Sequence, residues 1–402
     1  MRVMPSPWRA AAALALAAAV SLGLARFSYA LLLPAMRADL GWSYFTAGAM
    51  NTLNAAGYLV GALLMPWAMA RADARRLMLA GGALAAAALA AHGLAPGDTA
   101  LYALRFVTGV ASAASFVGGG LLAARLAASP AVGTRGGLVL GLYYGGTGLG
   151  IVGGALWLPG WLSPGALGEP ALAWGAAAWR SAWLGLAVLA AAATALCAAG
   201  TRQLAAPPVA RSPAARAPLA PLAAGLAGYL CFGLGYIGYM TFIVTLLREQ
   251  GASTGVVTAF YTLLGLGVCG SSWLWAGLLQ RHRSGRPMAL LNGLLAAATA
   301  LPVLSAHPVA VFASGTLFGS VFLSVVASTT ALVRHNLPPE AWARGIAAFT
   351  IVFAAGQIVG PGLVGRIADG AGGLARGFLI SAAVLAAGAG LALAQRAGAR
   401  PP

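Results

Sequence analysis

Two arginines, Arg26 and Arg105, lie inside long apolar runs of the sequence. A charged side chain at such a place is costly and usually faces a partner or a cavity. The apolar runs contain no Asp or Glu, so they offer these guanidinium groups no carboxylate. Backbone carbonyls, water and a bound organic anion remain as partners. The anion is attractive because a guanidinium group binds a carboxylate through two parallel hydrogen bonds.

The two arginines have different alternatives to anion binding. Arg26 stands about 16 residues, or roughly 24 Å, into its run. Its alternative to anion binding is to extend its long side chain to the membrane surface. Arg105 stands about 6 residues, or roughly 9 Å, into its run. That position also suits a structural tie to helix-end carbonyls or to Asp98. Both arginines are expected in the outer half of the membrane.

The composition sets the class of protein in which these arginines lie. Of 402 residues, 60% are hydrophobic and only 8% are charged, whereas soluble domains carry about 25% charged residues. This indicates a polytopic membrane protein. The net charge of +17 then reflects loop topology rather than a nucleic-acid surface. The three cysteines are widely spaced and show no ligand pattern, so no metal and no cofactor are predicted.

The apolar runs predict twelve transmembrane helices, since about 20 apolar residues are needed to cross a bilayer. The predicted spans are Ala10–Leu33, Thr46–Ala70, Leu77–Leu94, Thr99–Leu126, Gly136–Leu158, Trp174–Ala199, Leu219–Leu247, Ser253–Gln280, Met288–Ser305, Val309–Val333, Ala341–Ile367 and Leu374–Ala394. The first run resembles a signal peptide, but we expect it to remain uncleaved, because its loss would leave an odd number of helices.

Arginine is concentrated in alternate exposed segments, each counted together with the adjoining ends of the predicted spans. The odd-numbered segments hold 17 arginines against two acids, and the even-numbered segments hold five against five. Short basic loops stay in the cytoplasm. Both termini are therefore expected on the cytoplasmic side of the bacterial inner membrane.

The predicted helices fall into two sets of six. Residues 200–218, rich in Pro, Ala and Arg, are interpreted as a cytoplasmic linker between an N-terminal half at 1–199 and a C-terminal half at 219–402. The two halves repeat at an offset of 210 residues, and internal repeats are common in polytopic membrane proteins. The matched positions are Gly23 with Gly233, Arg26 with Tyr236 and Tyr29 with Tyr239.

Local motifs add to this arrangement. Arg105 begins an Arg-x-x-x-Gly motif in the fourth helix, and Trp179-Arg180 stands at the start of the sixth. Gly360-Pro361 lies in the eleventh helix. With the six-plus-six arrangement, these motifs make the chain resemble the major facilitator superfamily. The resemblance implies an all-α membrane protein with twelve transmembrane helices in two six-helix halves around a central cavity.

The resemblance also implies which residues gate the cavity. The family's loop between the second and third helices keeps its basic end here as Arg75 and Arg76, although the Asp and Gly register is lost. The Gly360-Pro361 segment resembles the family's antiporter hinge motif of the fifth helix, placed in the eleventh. The fifth helix itself is rich in glycine but lacks the proline. Arg75, Arg76, Gly360 and Pro361 are the expected gating residues.

Candidate substrate-binding residues follow from the helices that line the cavity in this family. They are Arg26, Tyr29, Asn51, Asn54, Arg105, Tyr143, Tyr236, Tyr239 and Gln357. Asn51 and Asn54 are three residues apart and share one face of the second helix. For each tyrosine, the alternative is ordinary helix packing with its hydroxyl bonded across helices.

The expected function is secondary transport of a small solute by alternating access, and the arginine pair indicates an organic anion. One alternative is a proton-coupled multidrug or metabolite efflux antiporter. An alternative of another class is a non-transporting membrane sensor. An enzyme is not expected, because the spans show no nucleophile–base pair and the chain lacks a G-K-[ST] phosphate loop. The expected partners are the solute, the lipid bilayer and protons as coupling ion, without nucleic acid, and the chain is expected to be a monomer.

Overall fold

The computed structural model describes residues 7–162, 178–204 and 219–397. These residues form twelve helices that are long and apolar enough to cross a membrane, and none of them forms a strand. The helices are α1 Pro7–Leu40, α2 Tyr44–Met69, α3 Ala74–Leu94, α4 Asp98–Ala127, α5 Gly133–Leu162, α6 Ala178–Gly200, α7 Ala220–Glu249, α8 Thr254–Arg281, α9 Arg286–Leu304, α10 Pro308–Asn336, α11 Arg344–Ala368 and α12 Gly373–Leu393. The predicted all-α fold with twelve transmembrane helices is confirmed. The predicted start of the sixth span at Trp174 and most of the predicted linker, 205–218, lie outside the described residues.

Helix α1 differs from the prediction in its length and in its backbone. It continues past the predicted end at Leu33, through Pro34, and ends at Leu40, before Gly41, whose φ of 64° is left-handed. Its central residues, Ala19–Phe27, form wider π-helical turns between two α-helical parts. Such turns are rare and often occur at functional sites. Arg26 lies in this stretch.

The π-helical stretch packs closely against the glycine-rich helix α5. A Cβ atom built on Gly23 would lie 2.5 Å from the Gly150 Cα atom and 2.7 Å from the Thr147 carbonyl oxygen. Small residues allow helix backbones to approach in this way within a membrane. The glycine run of α5 thus places the backbone next to Arg26 against a second helix.

The described helices pack into two compact units. The first comprises the described residues of Met1–Trp42, Leu53–Arg211 and Ser253–Gly265, and the second those of Ser43–Thr52, Ser212–Ala252 and Leu266–Pro402. In the second unit α7 packs on α11, and a Cβ atom on Gly233 would lie 2.8 Å from the Phe353 carbonyl oxygen. Gly233 therefore allows two helices to pack closely, as Gly23 does. Unlike α1, the α-helical part of α7, Ala223–Glu249, is unbroken.

The beginning of α2 is held by side chains from late in the chain. The amides of Tyr44 and Phe45 donate to the two carboxylate oxygens of Asp369, at 2.7 and 3.0 Å. The Tyr44 hydroxyl donates to the carboxylate of Glu249. The first amides of a helix have no partner within it, and a carboxylate there also interacts favourably with the helix dipole. Asp369 thus caps a helix that begins 325 residues earlier.

Candidate functional site

Arg26 is buried without a full set of hydrogen bonds. Its side chain is 3% exposed. Its Nε and Nη2 atoms are buried and donate to no acceptor among the described residues. The guanidinium carbon lies 5.8 Å from the Phe27 ring centre and 5.9 Å from that of Tyr58. These rings supply weak cation–π attraction, but they do not replace the missing acceptors.

Arg105 is fully buried and has a defined structural partner. Its Nη1 atom donates to the carbonyl oxygen of Ala25 at 2.9 Å. Its guanidinium carbon lies 4.9 Å from the Tyr29 ring and 5.9 Å from the Trp183 ring. Of the partners considered for this arginine, the structure provides a backbone carbonyl. Arg105 thereby ties α4 to the residue that precedes Arg26.

Helix α2 connects the two arginines. Asn54 and Tyr58 are four residues apart and share one face of this helix. The Asn54 amide nitrogen donates to the backbone carbonyl of Arg105 at 3.1 Å, while the Tyr58 ring lies against Arg26. The Asn54 Oδ1 atom is buried with no hydrogen-bond partner among the described residues. The first unit therefore holds the Arg26 guanidinium and a polar face of α2 close together.

Two predicted tyrosines of the first unit have packing partners. Tyr29 is fully buried and its ring stacks on Trp183 at 6.4 Å. The Tyr143 hydroxyl donates to the Phe116 carbonyl oxygen at 2.5 Å. A third tyrosine, Tyr261 of α8, donates from its hydroxyl to the Phe27 carbonyl oxygen at 2.7 Å. The structure thus ties α5 to α4 and α8 to α1 through tyrosine hydroxyls.

The predicted residues of the second unit form a separate cluster. Gln357 Nε2 donates to the Tyr236 hydroxyl. The Tyr236 ring stacks with Phe232 at 4.7 Å and Phe353 at 5.6 Å. Both Tyr236 and Gln357 are buried. A buried ring stack with a satisfied hydroxyl is the main feature of this cluster.

Tyr239 and Asn51 are also hydrogen-bonded in the second unit. The Tyr239 hydroxyl and the Ser314 hydroxyl are 2.7 Å apart. The Asn51 amide nitrogen donates to Thr241 Oγ1 at 2.8 Å. Asn51 and Asn54 thus bond to different helices, although they lie on one face of α2.

The predicted gating residues hold helix ends and close helix contacts. Arg75 donates from Nη2 to the Ala198 carbonyl oxygen at 2.8 Å and from Nε to Thr201 Oγ1 at 3.2 Å. The Arg76 amide donates to the Asp73 carboxylate at 3.2 Å, which caps the start of α3.

In the second unit, the two gating positions of α11 lie at close helix contacts. A Cβ atom on Gly360 would lie 2.7 Å from the Leu234 carbonyl oxygen. The carbonyl of Pro361 lies against Gly48 of α2. The glycine–proline segment thus packs against both α7 and α2.

No motif of the sequence includes His92, and the structure places it against Trp183, whose ring also lies 5.9 Å from the Arg105 guanidinium carbon. His92 is fully buried, its Nδ1 atom lies 2.6 Å from the Ala88 carbonyl oxygen, and its ring stacks on Trp183 at 4.4 Å. The position of Trp183, close after the predicted start of the sixth helix, was a signal for this contact. Across the described ranges, no group of three His, Cys, Asp or Glu residues has the arrangement of a metal site.

Twelve helices of membrane-spanning length among the described residues define the chain as a polytopic membrane protein. A family model described as "Uncharacterised MFS-type transporter YbfB" matches residues 18–393. The chain therefore belongs to this family of the major facilitator superfamily. It is a secondary transporter and not an enzyme.

Solved structures share the fold across nearly the whole chain. A bacterial homologue of the human lysosomal transporter Spinster, in an inward-facing and unoccupied conformation, matches with a TM-score of 0.70 at 13% identity and covers 97% of each chain. The nucleoside transporter NupG matches with a TM-score of 0.69 at 14% identity, covering 96% of this chain and 98% of NupG. Among curated protein sequences, none matches the chain. These similarities concern the fold alone.

Proposed function

We propose that this secondary transporter carries a small organic anion, and that Arg26 binds its anionic group. The observation that carries the proposal is the buried Arg26 guanidinium, whose Nε and Nη2 atoms lack acceptors among the described residues. A buried charge without a partner costs several kcal/mol. A ligand that supplies the missing acceptors therefore gains binding free energy from the same atoms.

The geometry of the unpartnered donors favours a carboxylate. The Nε and Nη2 atoms form one edge of the planar guanidinium group. A carboxylate presents two oxygens that match such an edge through parallel hydrogen bonds. Arg105 has its Nη1 hydrogen bond to Ala25, and it supports the proposal as a neighbouring positive charge.

The proposal includes the orientation and the cycle. The arginine asymmetry of the loops supports the inner membrane as location, with both termini cytoplasmic. The 210-residue repeat supports two halves at 1–199 and 219–402 that alternate access to Arg26, joined by a linker at 200–218. The chain acts as a monomer in this proposal.

A second candidate is proton-coupled efflux of drugs or metabolites. It is favoured by the glycine–proline segment of α11, where the Pro361 carbonyl packs against Gly48. Proteoliposomes with an imposed pH gradient distinguish the two candidates. Uptake of a carboxylate without a drug-dependent proton flux supports the first, and the reverse supports the second.

The anion proposal is tested by ligand-induced stabilisation of the purified protein. The probes are benzoate, succinate and citrate. At 100 times its dissociation constant, a ligand stabilises the folded state by about 2.7 kcal/mol. We expect stabilisation of the wild type, none for Arg26→Ala, and partial stabilisation for Arg26→Lys, which keeps the charge but loses the planar edge.

The matched control is Arg71→Ala, which removes an exposed arginine of the same unit. This variant should respond to the carboxylates as the wild type does. Normal stabilisation and normal transport by Arg26→Ala would overturn the proposal.

A further inference from the structure

We infer that Tyr261 of α8 is a positioning residue for Arg26. The inference rests on the proposed function, because it gives Tyr261 a role in setting the affinity of the Arg26 site. Tyr261 is fully buried, and its hydroxyl donates to the Phe27 carbonyl oxygen at 2.7 Å. Phe27 directly follows Arg26 and is the last residue of the π-helical stretch.

The Phe27 carbonyl lies where the hydrogen-bond pattern of α1 changes. The Ser28 amide donates to the Gly23 carbonyl, five residues back, at 3.1 Å. The Leu31 amide donates to the Ser28 carbonyl, only three residues back, at 3.1 Å. An α-helix would have used bonds of four residues throughout. At such a change of pattern, side chains of neighbouring helices satisfy backbone groups that the regular ladder releases.

Two side chains from other helices hold the carbonyls on either side of Arg26. Tyr261 bonds the Phe27 carbonyl, and Arg105 bonds the Ala25 carbonyl at 2.9 Å. Arg105 fixes the peptide plane between Ala25 and Arg26, and Tyr261 fixes the peptide plane between Phe27 and Ser28, one residue beyond Arg26. The backbone of Arg26 and Phe27 lies between these two planes, so a rotation of either plane changes the direction of the Arg26 Cα–Cβ bond. Tyr261 therefore acts on the anion through Arg26 and not by contact with it.

The substitution Tyr261→Phe removes the hydroxyl and keeps the volume of the ring. Loss of the hydrogen bond leaves the Phe27 carbonyl without this donor and allows the peptide planes around Arg26 to shift. Misplacing a binding group by about 1 Å costs up to about 100-fold in rate for catalytic sites. For a partial shift we expect about tenfold weaker carboxylate binding, on the same basis.

The experiment measures binding of benzoate, succinate and citrate to purified wild type and Tyr261→Phe. The matched control is Ser324→Ala, which removes a buried hydroxyl that donates to the Ser271 carbonyl oxygen of another helix at 3.1 Å in the second unit. We expect Ser324→Ala to bind within about twofold of the wild type, since its hydroxyl bonds the backbone of α8 and not that of α1. We also expect Tyr261→Phe to have no further effect in an Arg26→Lys background.

Two results would overturn the inference while leaving the anion site intact. The first is wild-type affinity in Tyr261→Phe. The second is an equal loss of affinity on adding Tyr261→Phe to Arg26→Lys, which would mean that Tyr261 acts independently of Arg26.

A readout that needs no ligand separates this inference from the proposed function. Phenylglyoxal modifies arginine, and peptide mass spectrometry reports its rate at Arg26 alone. We expect Tyr261→Phe to change this rate several-fold, as expected for a displaced guanidinium group, whereas Ser324→Ala leaves it unchanged. An unchanged rate in Tyr261→Phe overturns the positioning role. If Arg26→Ala binds carboxylates normally, the anion proposal fails, and the labelling rate still decides the role of Tyr261.

Discussion

The segments around Arg26 in α1 and Tyr236 in α7 are repeats of each other, yet they bury their polar groups in opposite ways. In α7 the backbone is unbroken, and the Tyr236 hydroxyl accepts a hydrogen bond from Gln357. In α1 the turns widen over Ala19–Phe27, and one edge of the Arg26 guanidinium has no acceptor among the described residues. One member of the repeat is satisfied by its own unit, and the other is not.

On the proposal that Arg26 binds an anion, this difference assigns the ligand to the α1 member. A buried group that already has a hydrogen-bond partner contributes to stability and gains less from a solute. An unsatisfied charge destabilises the resting protein, and such local costs are typical of functional sites. The glycine contacts on the same face, at Gly23 and Gly233, serve packing in both members. The two segments therefore share their close glycine packing and differ in the hydrogen bonding of their buried polar groups.

The largest expected effect comes from replacing the Arg26 side chain of α1 by an apolar one. Arg26→Met removes the unsatisfied charge and keeps a long flexible side chain. Replacing buried charges by apolar side chains is often neutral or stabilises by about 1–4 kcal/mol. We expect carboxylate binding to be lost while the midpoint of thermal unfolding without ligand rises. A lower midpoint together with lost binding would show that the wild-type guanidinium is satisfied after all.

A smaller effect is expected from Gly23→Ala. This variant should lose stability, because the new Cβ atom would lie 2.5 Å from the Gly150 Cα atom. That neighbour is backbone and has little freedom to move. Overpacking of this kind costs about 1–3 kcal/mol in the free energy of unfolding. The control is Gly153→Ala in α5, whose Cβ atom would meet only the Leu189 side chain at 3.6 Å. Equal unfolding midpoints for the two variants would contradict the close α1–α5 contact.

The smallest expected effect is in α7. Tyr236→Phe removes the hydroxyl that accepts from Gln357 and leaves that amide unpaired at a cost of about 1–3 kcal/mol, of which relaxation recovers part. Adding Gln357→Leu removes the unpaired donor, so the double variant should be more stable than Tyr236→Phe alone. The measurement is a double-mutant cycle on unfolding midpoints. Strict additivity would mean that the hydrogen bond contributes nothing to stability.

The sequence predicted the helices better than the site because the two depend on different information. Apolar runs and alternating arginines are local patterns, and twelve apolar runs are enough to define the fold. The first span was predicted to end at Leu33, where the apolar run ends, whereas the helix continues through Pro34 to Leu40. The π-helical turns of Ala19–Phe27 were not predicted, since an apolar run does not distinguish them from α-helical turns.

The two arginines show where sequence reasoning ends. Both stand in apolar runs without acids, so the sequence left a bound anion open for each, beside extension to the membrane surface for Arg26 and a structural tie for Arg105. The structure separates them, because Arg105 reaches the Ala25 carbonyl and part of Arg26 reaches no acceptor among the described residues. The partner of Arg105 is a backbone atom 80 residues away, which no motif encodes. The hydroxyls of Tyr143 and Tyr261 also bond backbone carbonyls, those of Phe116 and Phe27. Sequence patterns do not predict these partners, for the same reason.

The cap that Asp369 provides to α2 sets an order of events during synthesis. Tyr44 and Phe45 leave the ribosome long before Asp369, which follows 325 residues later. At about 5–20 residues per second, this delay is roughly 15–65 s. Throughout that interval the first turn of α2 waits in the membrane without its carboxylate. The cap of one of the first helices is therefore completed only after the eleventh helix has been made.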